Sequence, residues 1–155
     1  MRVLWMGKKT DNHSADQIRK ANGKIGELLV AVELLRHGFQ VSWPMIDKGY
    51  DLLSDSQDGV IKRVQVKTAR PNKYGTYDVN FTRGYRGKHK YTANDCDAFV
   101  VSLNFNSYTG FYVIPLADVD VYKGVFWPAG QHPRWPDKWK TCKWEDYLYR
   151  WDLLR

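Results

Sequence analysis

The sequence predicts an α/β fold followed by an aromatic-rich C-terminal extension. Three observations predict it. The stretch from Ser14 to about Arg36 repeats apolar residues at three- and four-residue steps. Short apolar or alternating runs then recur between Phe39 and Pro115. Beyond them lie five of the seven tryptophans, Trp127, Trp135, Trp139, Trp144 and Trp151. At 155 residues the expected organisation is one domain over 1–155, with a core from about 14 to 121 and the extension from 122 to 155.

Taken in order, Gly7 to His13 is polar and turn-like, and Ser14 or Asp16 is placed to cap a helix running to about Arg36. Ile18, Ile25, Leu28, Leu29, Val32 and Leu35 are expected to form its buried stripe. Gly38 ends the helix as a left-handed residue. Gly23, Glu27 and Ala31 form an i, i+4 row, in which two small residues would let the helix approach a sheet and aim one carboxylate at it. Glu33 has no such neighbours on both sides.

Phe39 to Trp43 alternates as a strand that Pro44 stops, and Gly49 to Ser54 reads as a second. Ser56-Gln57-Asp58-Gly59 is a hairpin turn leading into a third strand, Val60 to Ala69. Side chains alternate along a strand, so Gln65 and Lys67 share a face opposite Val64, Val66 and Thr68. Arg70 to Lys90 is polar and glycine-rich and reads as a loop. Ala98 to Phe105 and Gly110 to Pro115 are two more strands joined by a turn at Asn106 to Thr109, and Leu116 begins a short helix. The tryptophans are expected to pack on the core and at a subunit contact.

The chain carries 24 Lys and Arg against 17 Asp and Glu, a net charge of +7. That excess favours a polyanionic partner through phosphate neutralisation, although a solvated basic surface would give the same total. The candidate DNA contacts are Lys62, Arg63, Arg70, Lys73, Arg83, Arg86, Lys88 and Lys90. Cys96 and Cys142 have no metal-ligand spacing, so a reduced, cytoplasmic setting is expected. No apolar run approaches the roughly 20 residues that span a bilayer, and Met1 to Trp5 lacks a signal-peptide core.

Glu27 on a helix, Asp51 on a strand and Gln65-Val66-Lys67 on the next strand form a set suited to phosphodiester hydrolysis. Such a reaction needs an oriented water, neutralisation of phosphoryl charge and a stabilised leaving oxygen, all of which a divalent metal can serve. Mg²⁺ takes hard oxygen ligands, one or two of them carboxylates. Asp51 is the leading ligand, with Glu27, the Gln65 amide oxygen and the Val66 carbonyl as further donors. Lys67 is suited to the scissile phosphate and the attacking water.

The ordered set resembles the PD-(D/E)XK phosphodiesterase superfamily. Gly23 to Val30 and Leu34 to Phe39 are similar to the first helix and following turn of its Holliday-junction-resolvase branch. Tyr50-Asp51 stands where the family has Pro-Asp, and Gln65-Val66-Lys67 where it has Glu-x-Lys. Tyr91 to Val101 and Phe111 to Pro115 resemble its last core strands. The resemblance runs from about Lys20 to Val121 and implies a restriction-endonuclease-like core, a central mixed β-sheet flanked by helices.

It also implies catalytic roles for Glu27, Asp51, Gln65 and Lys67. Mg²⁺, replaceable by Mn²⁺, would be held by Asp51, Glu27, Gln65 and Val66. Tyr50 and Gln65 depart from the family pattern. A neutral amide binds a cation less strongly than a carboxylate, yet a Q-x-K motif resembles that of the small intron-encoded homing endonucleases. The expectation is a Mg²⁺-dependent endonuclease on double-stranded DNA, of homing type, acting as a homodimer or homotetramer without a small-molecule cofactor. A junction resolvase or other structure-specific nuclease is the alternative, and an inactive DNA-binding module of the same fold is a third.

Overall fold

The computed structural model describes residues 14–46, 48–84, 89–105, 108–127 and 142–155. The chain opens with α1 (Ala15–Arg36). Ser14 caps it in a reciprocal box: its hydroxyl accepts from the Gln17 backbone N–H, and its own N–H donates to the Gln17 side chain at 2.8 Å. Gly38, at φ +83, is the left-handed residue after the last turn. The strands among the described residues are β1 (Gln40–Ser42), β2 (Leu52–Asp55), β3 (Ile61–Ala69), β4 (Tyr77–Asn80), β5 (Thr82–Arg83), β6 (His89–Lys90), β7 (Ala98–Phe105), β8 (Tyr108–Pro115) and β9 (Lys123–Phe126).

The central sheet is mixed, in the order β1-β2-β3-β7-β8. Neighbours are antiparallel except β3 and β7, which run parallel with Val64 opposite Ala98 and Ala69 opposite Leu103. The turn between β2 and β3 is the expected hairpin: the Ser56 N–H donates to the Val60 carbonyl, and Gln57 and Gly59 take positive φ values of 67° and 93°.

Alternation splits the core in two. Val64, Val66, Ala98, Val100, Phe111 and Val113 face α1, where they meet Val30, Ala31 and Leu34. Phe99, Val101, Leu103, Tyr112 and Ile114 face the other way, onto Tyr77, Val79, Phe81 and Phe126. β7 and β8 are therefore apolar on both faces, whereas β3 turns Gln65 and Lys67 away from α1.

Two expectations are overturned. Ile18, Ile25, Leu28, Val32 and Leu35 are 44–58% exposed, and Leu29 alone of the expected stripe is partly buried. The buried residues are Gly26, Val30, Ala31 and Leu34. The helix has apolar residues on more than one side, and the sheet takes the side where small residues admit it. Gly26, not Gly23, makes the close approach: a Cβ on Gly26 would collide with the Thr68 hydroxyl, whereas one on Gly23 meets nothing within 4 Å.

The region 70–90 is also more than a loop. β4 pairs with β9, and β5 with β6. Tyr77, Val79 and Phe81 are buried at alternate positions, a period-two signal visible in the sequence.

The described tryptophans of the C-terminal extension, Trp127, Trp144 and Trp151, pack inward, whereas Trp43 is exposed. Trp144 stacks on Phe126 at 5.6 Å, and Trp151 lies 5.7 Å from Phe111 on the α1 side. Trp135, Trp139, Gly7 to His13, Asn106-Ser107, Arg86 and Lys88 lie outside the described residues. A short 3-10 turn at Leu116–Asp118 stands where a helix was expected to begin. No described helix is long and apolar enough to cross a membrane.

Candidate active site

The site forms where β2 parts from β3. Their ladder covers Leu52–Asp55 against Ile61–Val64, and beyond it the Asp51 N–H still reaches the Val64 carbonyl at 2.9 Å. From Gln65 onwards β3 keeps its β7 neighbour but has no β2 partner. That open edge needs a substitute for its missing hydrogen bonds. Asp51 supplies one: its Oδ2 accepts from the Val66 N–H at 2.8 Å. A strand residue's N–H and C=O point to the same side, so the Val66 carbonyl also faces the gap.

Gln65, only 9% exposed, fills it. Its Nε2 donates to Asp51 Oδ2 at 2.5 Å and to the Val66 carbonyl at 3.2 Å. The reverse amide orientation would set three acceptors against one another, so nitrogen is the atom that faces Asp51. An N–H group thus stands between the carboxylate and the carbonyl expected to hold a cation.

Glu27 reaches the same place from α1. The Gly26 contact with Thr68 brings the helix down on β3, and Glu27 lines a cleft of about 610 Å³ together with Asp51, Gln65, Val66, Lys67 and Thr68. The Glu27 carboxylate is paired with Lys24 at 2.6 Å. Glu33 is as shielded as Glu27 and pairs with Arg36, but it does not line the cleft.

Lys67 extends from the face of β3 turned away from α1. Its Nζ donates to the Tyr91 hydroxyl at 3.0 Å and lies 4.8 Å from the ring centroid. Burial pushes its pKa below the usual lysine range, with the Asp51 charge pulling in the opposite direction. Cys96, near Lys67, is pushed up to about 12 by burial first and then by Asp95 and Asp97, which keeps it an unreactive thiol.

Among the described residues no three His, Cys, Asp or Glu side chains come together. The donors that could hold a metal are instead Asp51, Glu27, the Val66 carbonyl and, after a turn of its amide, Gln65. All are hard oxygens, and the Asp51 Oδ2 and the Val66 carbonyl already converge on one positively polarised N–H. That set fits Mg²⁺ or Mn²⁺ and does not suit a thiolate or imidazole metal.

The expected DNA-binding residues are dispersed. Arg70 lines the large cleft, and Arg83 lines a smaller one beside it. Arg63 is engaged by Asp97, whose carboxylate takes its backbone N–H, Nε and Nη2, and by the Asn94 and Ala93 carbonyls. Lys73 lies over the Tyr74 ring and Lys90 over the Tyr122 ring. Lys62 sits in the β2–β3 ladder opposite Ser54. Arg19 and Tyr91 also line the clefts, and sequence patterning had assigned neither a role in the site. An Arg one turn into a helix facing the open edge was a legible signal for the first; no spacing rule joins Tyr91 to Lys67.

Comparison with known proteins shows the family of the chain. The sequence pattern of the family described as PD-(D/E)XK endonuclease matches residues 18–127. Protein 5.3 of Escherichia phage T7 is 33% identical over 84 residues, covering 54% of this chain and 71% of that protein. The solved structure of a bacterial homing endonuclease, I-Ssp6803I, superposes with a TM-score of 0.71 at 24% identity, over 86% of this chain and 90% of that one. The family pattern takes in the helix of Glu27, Asp51 at the entry to β2, the strand of Gln65-Val66-Lys67 and the later strands β7 and β8, and it spans more than half of the chain, so the chain belongs to the PD-(D/E)XK endonuclease family.

Proposed function

We propose that the protein is a Mg²⁺-dependent endonuclease that hydrolyses phosphodiesters in double-stranded DNA, with a site-specific, homing-type action. One observation carries this: Asp51, Gln65, the Val66 carbonyl and Lys67 gather at the open edge of β3, in a cleft that Glu27 reaches from α1. The Q-x-K motif and the fold shared with a bacterial homing endonuclease support the homing-type part. The net charge of +7 supports a nucleic-acid partner.

Asp51 Oδ2, the Val66 carbonyl and Glu27 would hold the metal. Bound there, a divalent ion supplies positive charge for the phosphoryl oxygens and acidifies a water. The Gln65 amide nitrogen now occupies that position, so the side chain must turn to offer its oxygen. The Lys67 ammonium binds a non-bridging oxygen of the scissile phosphate and orients the attacking water. Cutting both strands of a duplex needs two such sites, which a homodimer or homotetramer supplies by symmetry.

The test is incubation with plasmid and, separately, a four-way junction, each with Mg²⁺, Mn²⁺ or EDTA. Metal-dependent cutting of plasmid is expected from the wild type, and none from Asp51→Ala or Lys67→Ala, with the fold of each variant intact. Retained cutting in either variant would move the site elsewhere. Cutting of the junction alone would make the protein a structure-specific nuclease, and binding without cutting under every metal would make it a DNA-binding module. Sedimentation at the working concentration reads the subunit number.

A further inference from the structure

Beside the large cleft lies a second one of about 400 Å³, lined by Lys48, Gly49, Asp51, Gln65, Arg83 and Tyr91. Asp51 and Gln65 belong to the walls of both. The two clefts therefore open onto the same carboxylate.

The second cleft is built, not merely basic. Arg83 is fixed by Asp95, with Nη1 to Oδ1 at 2.6 Å, and the Asp95 side chain is only 8% exposed. Asp95 is anchored in turn by the Thr92 N–H at 2.8 Å and the Thr92 hydroxyl at 2.9 Å. The Arg83 guanidinium also lies 6.0 Å from the centroid of Tyr91, the ring that carries Lys67. A guanidinium has five N–H donors, and this side chain remains 47% exposed, so it can hold Asp95 and still bind an anion. Gly49 completes the wall at φ +95, where a Cβ would stand 3.1 Å from the Asp95 Cβ and 3.5 Å from Arg83 Nη1. Backbone conformation and space both select glycine there. Lys48, the residue before it, adds a second cation at an exposed position.

We propose that this cleft is the subsite for the phosphate next to the scissile one on the cut strand, held by Arg83 and Lys48. The proposal rests on the endonuclease reading. A strand lying across Asp51 and Lys67 has to continue past them, and this cleft offers its next phosphate a guanidinium held by Asp95 and an exposed ammonium. Tyr91 couples the two positions by touching both Lys67 and Arg83.

The experiment uses a duplex whose cut position has been mapped with the wild type, then replaces single phosphates by uncharged methylphosphonates. Neutralising one flanking phosphate is expected to slow wild-type cutting by roughly tenfold, the low end for loss of a charge-assisted hydrogen bond. In Lys48→Ala and in Arg83→Lys, which keeps a charge for Asp95 but loses the fork, the same replacement should add little. Each variant should also lower the slope of log affinity against log salt, by about one for Lys48→Ala. Effects of variant and replacement that multiply, or a wild type indifferent to every flanking replacement, would overturn the subsite. A wild type that fails to cut the unmodified duplex would overturn the endonuclease reading itself, a separate result.

Discussion

The Lys67 ammonium donates to the Tyr91 hydroxyl at 3.0 Å and sits 4.8 Å from the centroid of the same ring. Tyr91 is held by an edge contact with Phe99 at 5.1 Å and 86°. The phenol therefore fixes the cation that the proposed reaction relies on. A hydrogen bond to a charged group contributes about 1.5–3 kcal/mol. Tyr91→Phe keeps the ring and loses the acceptor, so single-turnover cutting should slow roughly tenfold or more, with DNA affinity in EDTA unchanged. Equal rates for the two proteins would remove Tyr91 from the reaction.

The two glycines of α1 should respond in opposite directions. Gly26→Ala drives a methyl group into Thr68 and should cost about 1–3 kcal/mol, as overpacking does. Gly23→Ala meets nothing and should stabilise the helix by roughly 0.5–1 kcal/mol. Urea denaturation measures both. A loss of stability at Gly23 as large as that at Gly26 would refute the assignment of Gly26 as the point of closest approach.

The exposed stripe of α1 gives a second contrast. Leu34 is fully buried and Leu28 is 49% exposed. Leu34→Ala should cost about 2–5 kcal/mol, and Leu28→Lys should stay within about 0.5 kcal/mol. A cost of several kcal/mol for Leu28→Lys, seen only where the protein self-associates, would place that stripe against another subunit.

Acid should release the pair that links the start of β7 to β3. The Arg63 hydrogen bonds hold the Asp97 carboxyl below the usual aspartate range. A carboxyl with a depressed folded-state pKa contributes fully above its unfolded value of about 3.9, and that contribution is lost as pH falls through the lower folded value. Stability measured from pH 5 downward should therefore fall through and below about pH 4, less steeply in Asp97→Asn. Parallel curves for the two proteins would show that the pair carries no linked stability.

The chain order of Glu27, Asp51, Gln65 and Lys67 was legible in the sequence, because each residue sits in a local context that patterning reveals: a capped helix, a hairpin and an alternating strand. The shared face of Gln65 and Lys67 followed from the two-residue period of a strand alone. β7 and β8 were legible as well, because their apolar runs are long and bounded by turns.

Which face of α1 is buried was settled by packing. Its apolar residues occupy several sides, and only the contact of Gly26 with Thr68 selects among them. The pairing of β4 with β9 and the hold of Tyr91 on Lys67 join residues far apart in the chain, and local periodicity carries no information about such partners. Sequence determined the elements and their chemical content, because backbone preference and hydrophobic period act over a few residues. Tertiary structure decided the site, because its cleft exists only where β2 leaves β3 and a helix comes close enough to wall the gap.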